Sequence, residues 1–248
     1  MLVDTHCHLS KEYYESINEI VDEMDGIVIV SGCNDETNKE VIELVDKYKN
    51  VYGTIGIHPE DVDKITDDSL KFIEKNINHP KIVGIGEIGL DYHYIDDNKE
   101  IQKKILRFQL DLAQKYNKAV VIHSRDAISD IYNILKEYNL KGTIHCFNSS
   151  LEMAQNFIKL GYKIGVGGVL TFKNSKKLLD IVKSIDLKNI LIETDSPFLT
   201  PEPFRGKQNK PSYVLLVAEK IAEIKEIDVD EVIKQTGENA ISEFDLSL

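Results

Sequence analysis

Residues 119–123 read AVVIH, four apolar residues in succession closed by a histidine. So short a run, rich in β-branched side chains and without polar alternation, marks a strand buried on both faces, as in a parallel sheet. Seven further runs share the shape: LVDTH at 2–6, GIVIV at 26–30, VYGTIGI at 51–57, IVGIGE at 82–87, GTIHC at 142–146, YKIGVGG at 162–168 and NILIETD at 189–195. Between them, stretches such as 11–24, 35–49, 99–116, 150–161 and 175–185 place apolar residues three and four apart, the period of an amphipathic helix. Eight β-then-α units in 248 residues match the (β/α)8 barrel in count and length. A doubly wound open sheet needs fewer strands and a crevice fingerprint that is missing here. The expectation is therefore an α/β fold, a TIM barrel forming one domain over 1–248, with the tail 228–244 as a terminal helix on its outside.

Composition narrows the function. The chain carries a formal charge of −12, which disfavours non-specific attraction to nucleic acid or anionic membranes, so an anionic substrate needs a local cationic patch. No stretch approaches the roughly 18 uninterrupted apolar residues of a membrane span, and the N-terminus lacks the features of a signal peptide. A cytoplasmic protein with no membrane partner is expected. Cys7, Cys33 and Cys146 form no CxxC and cannot all pair, which argues for core thiols over a disulfide scaffold or a cysteine zinc site.

Chemistry in such barrels sits at the C-terminal ends of the strands. There the first run ends in His6 and His8, the third leads into His58, the fourth ends at Glu87, the fifth at His123, the sixth at His145 and the eighth at Asp195. Five of the seven histidines thus fall where a site would form, all but His79 and His93. In an extended strand residues two apart share a face, so Asp4, His6 and His8 should project together while Cys7 points away, as should Cys146 beside His145. His6, His8, Glu87, His123, His145 and Asp195 supply four imidazoles and two carboxylates, enough for two divalent ions with Glu87 as the natural bridge. Mixed nitrogen and carboxylate donors suit Zn, Mn, Fe, Ni or Co better than Ca, with Mg admitted by its abundance.

The motifs DTHCHL, GIHPED, GIGEIGLDYHY, VVIHSRDA, GTIHCF, GGVLTFKNSKKL, ETDSPFLTPEPFRGKQNKP and TGENA occur in that order and resemble those of the TatD family of metal-dependent DNases, over residues 3 to 244. The resemblance implies a metallo-dependent hydrolase barrel with His6, His8 and Asp195 on one metal, His123 and His145 on the other, and Glu87 shared. Asn148-Ser149-Ser150 and Gly237 depart from the usual pattern without touching a ligand position.

The loops after strands seven and eight, where TIM barrels often hold phosphate, contribute Lys173, Lys176, Lys177, Arg205, Lys207 and Lys210. Arg205 is the strongest phosphate candidate among them because its planar fork binds two oxygens at once, with Lys207 beside it; Lys176 and Lys177 equally suit a solvated helix face. Arg125, two residues past His123, is placed in the same pocket or on Asp126. His58, restrained by Pro59, is read as a contact to substrate, a support for a ligand or a loop cap. Glu193, two residues before Asp195 and deeper in the barrel, is expected to orient a ligand histidine. The reading is a DNA phosphodiesterase with two divalent metal ions, in which Glu87 bridges and Asp195 or solvent accepts the proton of the attacking water. Its rivals are a small-molecule amidohydrolase or phosphotriesterase-like enzyme, an aminoacyl-tRNA deacylase, and a non-catalytic metal-binding barrel.

Overall fold

The computed structural model describes residues 1–93 and 98–247; Tyr94, the last residue of the GIGEIGLDYHY motif, and Leu248, the end of the expected domain, lie outside them. Eight parallel strands form one sheet in sequence order: β1 (Leu2–Cys7), β2 (Gly26–Ser31), β3 (Val51–Ile55), β4 (Ile82–Asp91), β5 (Ala119–Arg125), β6 (Gly142–Ile144), β7 (Tyr162–Val166) and β8 (Ile190–Ile192). Helices follow them: α1 (Ile17–Asp22), α2 (Asp35–Lys47), α3 (Asp67–Asn76), α4 (Lys99–Tyr116), α5 (Ile128–Leu135), α6 (Leu151–Lys159), α7 (Lys176–Ser184), α8 (Val214–Lys225) and α9 (Val229–Phe244). The sheet closes between β8 and β1 just past the end of β8, where the Asp195 N–H donates to His6 O at 3.0 Å and the His8 N–H to Ser196 O at 2.7 Å. The expected (β/α)8 barrel is the fold. The helix expected over 11–24 contracts to α1, which Ser16 caps by accepting from the Glu19 N–H.

Alternation along the strands sorts the core into two sets. Val28 and Val30 pack with the surrounding helices, whereas Ile27 and Ile29 join Val3, Val121 and Leu191 in a second cluster with Ala240, Phe244 and Leu246 of α9 and the tail. Residues further along the same parity, Ser31, His123, Glu193 and Asp195, carry the polar end. On β1 the parity switches. Asp4 pairs with Val28 but Cys7 with Val30, so β1 has one residue in excess, a bulge. Asp4 consequently does not join His6 and His8 as strict alternation predicted: buried, it accepts from the Thr194 N–H at 2.9 Å and the Thr194 hydroxyl at 2.6 Å. A second excess residue, Ile85–Ile88 against Val120–Ile122, falls at Glu87.

Candidate metal centre

The six residues read as ligands come together at the C-terminal end of the barrel. His6 Nε2 and His8 Nε2 lie 3.1 Å apart; Glu87 Oε2 is 3.3 Å from the first and 3.5 Å from the second, and Asp195 Oδ1 3.6 and 3.4 Å. A tetrahedral centre with bonds of about 2.0–2.1 Å to nitrogen and oxygen has edges of about 3.3–3.4 Å, so His6, His8 and Glu87, 3.1–3.5 Å apart, are spaced for a cation such as zinc, with Asp195 beside the two imidazoles. Two imidazole nitrogens facing each other at this distance must share a proton or a cation, because two lone pairs repel. The other oxygen of the same carboxylate, Glu87 Oε1, lies 2.8 Å from His123 Nδ1 and 3.7 Å from both His58 Nε2 and His145 Nε2. Glu87 therefore faces two groups of imidazoles. Burial pushes its pKa up, but His6, His145 and His58 together with the His123 bond outweigh burial and hold it well below the usual range. Among the described residues no lysine or arginine pairs with Glu87 or Asp195.

His145 lies between the two groups, its Nε2 3.7 Å from the Glu87 oxygen that His123 meets. His145 stacks on His6 with ring centroids 3.7 Å apart and sits 3.9 Å from Asp195 Oδ1, while its ring is 6.5 Å from that of His123. His58 also joins Glu87 and His123 within donor reach. Its Nδ1 accepts from the Glu60 N–H at 3.2 Å, capping the short 3₁₀ turn Pro59–Lys64, and this aims Nε2 at the carboxylate. Burial pushes its pKa down to about 4, so the ring is neutral at neutral pH and competent as a donor.

A layer of polar groups sets the rings. Ser31 Oγ is 3.0 Å from His6 Nδ1 and 2.9 Å from Thr54 Oγ1, and the Ser31 carbonyl is 3.1 Å from His8 Nδ1. Since a carbonyl only accepts, His8 Nδ1 carries the proton and Nε2 presents its lone pair to the cluster. Glu193 Oε1 lies 2.9 Å from His145 Nδ1 and accepts from the Cys146 N–H at 2.6 Å, and Gly165 leaves room for it: a Cβ there would stand 2.6 Å from Glu193 Oε2. Asp91 Oδ2 is 3.0 Å from His123 Nε2. Ser31, Thr54 and Asp91 were not singled out from the sequence, and Cys33, expected as a core thiol, holds its Sγ 3.8 Å from both His8 Nδ1 and Glu87 Oε2. Ser31 and Asp91 could have been, as polar ends of apolar strands; Cys33 lies beyond β2 and gives no such signal. Cys7 is a core thiol as expected. Cys146 is not: β6 ends at Ile144, the backbone takes a left-handed φ of 44° at Cys146, and the thiol turns toward the site beside His145 and Glu193.

Beside this centre lies a cavity of about 570 Å³, lined by His123, Arg125, His145, Cys146, Lys177 and Asp195 and walled by Phe172 and Phe198 among others. Arg125 and Lys177 thus belong to its lining. Arg205 and Lys207 do not: the Arg205 guanidinium lies 3.8 Å from the centre of the Phe172 ring with Nη1 donating to Thr200 O at 3.4 Å, and the Lys207 ammonium sits over Phe204. Lys210 pairs with Glu23.

Three comparisons bear on this arrangement. The sequence profile of the family described as TatD related DNase matches residues 3–245. YabD of Bacillus subtilis strain 168, an uncharacterized metal-dependent hydrolase, is 43% identical over 249 residues that cover 97% of each chain. The crystal structure of YJJV, a TatD homolog from Escherichia coli K12, superimposes with a TM-score of 0.90 at 31% identity, covering 99% of this chain and 98% of that one. A TatD family hydrolase from Entamoeba histolytica follows at a TM-score of 0.84 and 26% identity, over 98% and 97% of the two chains. Among the described residues no helix is long and apolar enough to cross a membrane.

Proposed function

The chain belongs to the family of TatD related DNases, whose fold and clustered donors make it a metal-dependent hydrolase, and on that premise we propose that it cleaves phosphodiester bonds of DNA. The observation that carries the reading is Glu87, which offers one oxygen to His6 and His8 and the other to His123, His58 and His145. In this reading His6, His8, Asp195 and Glu87 hold one divalent ion, and Glu87 with His123 and a neighbouring imidazole holds a second. Bound ions supply Lewis-acid polarisation of the phosphoryl group and activation of water.

The protein's own groups then do the rest. Ser31, Glu193 and Asp91 orient the imidazoles, which keeps the donors in place as charge builds on the phosphoryl and leaving oxygens. Asp195 is the more open of the two carboxylates, its side chain 15% exposed against 4% for Glu87, so Asp195 is the group that accepts the proton of the attacking water and passes it to solvent. Arg125 and Lys177 line the cavity and neutralise the phosphates of the bound strand, a role that sequence reasoning had given first to Arg205 and Lys207. Arg205 lies over the Phe172 ring at the wall of the same cavity.

The test is a substrate panel on protein stripped with chelator and then reloaded with Zn, Mn, Mg, Ni, Fe or Co: single-stranded and duplex DNA, RNA, aminoacyl-tRNA and small phosphoesters. Metal-dependent cutting of DNA is expected. Turnover confined to small phosphoesters, or to the aminoacyl ester, would transfer the activity to those classes. Metal uptake without turnover of any substrate would reduce the chain to a non-catalytic metal-binding barrel.

A further inference from the structure

Five large apolar side chains stand exposed among the described residues, and of these only Phe198 lines the cavity. It is 48% exposed, three residues past Asp195. Its backbone is hydrogen-bonded on both sides: the Phe198 N–H donates to Asp195 O at 2.9 Å, its carbonyl accepts from Asn209 Nδ2 at 2.6 Å, and Asn209 is itself buried. The ring is held edge-to-face against Tyr13 at 5.5 Å and against His8 at 6.2 Å. An aromatic face fixed beside a metal centre and left in water gains most from a partner that is flat, aromatic and tethered to the group being cleaved.

The rest of the cavity matches that partner. Phe172 provides a second aromatic wall, and Arg205 covers that ring with its guanidinium. Asn148 and Asn174 bring amide donors and acceptors suited to the edge of a base, and Lys177 brings positive charge for a phosphate. The volume of about 570 Å³ lies within the roughly 300–1,000 Å³ of small-ligand sites, so the cavity admits a nucleotide but no duplex. We propose that this cavity is a nucleobase subsite with Phe198 as its stacking platform, which takes an unpaired base next to the phosphate at the metal centre. The proposal rests on the DNA-cleaving reading for the identity of that phosphate.

The experiment measures binding, separately from cleavage. Metal-loaded protein is titrated with two short oligodeoxynucleotides, each with a phosphorothioate at the scissile link, one carrying a normal base beside it and one an abasic residue. The parent should prefer the base-bearing strand by about 10- to 100-fold, the range expected for stacking one base on one aromatic ring. Phe198→Ala and Phe198→Leu should both abolish the preference, the second while keeping apolar bulk, and Phe198→Trp should keep it; elemental analysis should find the metal content of all three unchanged. Equal binding of the two strands by the parent, weak or strong, overturns the subsite, as does a preference that survives Phe198→Leu. If the parent cuts DNA yet ignores the base, the subsite is wrong and the nuclease reading stands. If it cuts no DNA yet shows a base preference that depends on Phe198, the nuclease reading is wrong and the subsite stands.

Discussion

Glu87→Gln exchanges a carboxylate oxygen for an amide that donates, which breaks the contact to one of the two imidazole groups while preserving volume. Turnover should fall by two or more orders of magnitude with the far-UV circular dichroism unchanged, and elemental analysis should show metal lost. Near-parental turnover would reject the bridge. Glu193 acts through His145, so Glu193→Gln should weaken metal affinity by about 10- to 100-fold in a chelator competition, without abolishing binding. Far from the centre, Glu243 of α9 is buried with Oε1 unpartnered. Burial pushes its pKa up to about 7, against the opposing pull of Lys163, the Gly142 backbone and Lys141. A carboxyl whose folded pKa lies above its unfolded one stabilises fully below about pH 4, and that stabilisation is lost as pH rises through about 7. Urea melts at pH 5 and pH 8 should show the parent losing up to about 3 kcal/mol relative to Glu243→Gln; parallel curves would mean that Glu243 ionises freely.

At the level of elements, the apolar runs and their period sufficed for the strands, but their ends did not follow from the pattern. The run 189–195 shortens to β8 at Ile190–Ile192: the Glu193 and Asp195 amides still donate singly to Val166 O and His6 O, but the backbone turns left-handed at Asp195, with φ of 55°, and leaves the strand path. The bulge on β1 is likewise illegible, since LVDTHC alternates as well without it. Two glycines separate stability from chemistry. A Cβ at Gly237, one of the departures from the family pattern, would stand 2.3 Å from the Met1 carbonyl oxygen, where α9 crosses the start of β1. Gly237→Ala should cost about 1–3 kcal/mol in a thermal or urea melt and leave metal affinity alone. Gly165→Ala should do the reverse in emphasis, because its Cβ would displace the Glu193 carboxylate: metal titration should reveal a weaker site even where the melt is little changed.

Across the whole molecule, the centre and the closure of the barrel occupy the same place. The seam between β8 and β1 is held by the Asp195 and His8 amides and by the Thr5 hydroxyl donating to Ile192 O, while His6, His8 and Asp195 bring donors from both sides of it. A cation there ties the first strand to the last. Chelation should lower the melting temperature, by about 2.7 kcal/mol of stability where free metal had been a hundredfold above its dissociation constant, and should speed hydrogen exchange at the seam amides more than in the β4–β5 ladder. Uniform exchange and an unchanged melt would place no cation across the seam.

What the sequence determined by itself was the barrel and the six residues that gather at one end of it. Parallel strands buried on both faces need continuous apolar runs, and the first polar residue past each run necessarily emerges at the shared C-terminal rim. Only the tertiary structure decided how those residues are grouped. That His58 and His145 both share an oxygen with His123, that Asp4 meets Thr194 rather than His6 and His8, and that Arg205 lies over the Phe172 ring all depend on register shifts, bulges and loop paths. These are set by packing between elements far apart in the chain, and no local pattern of residue types encodes them.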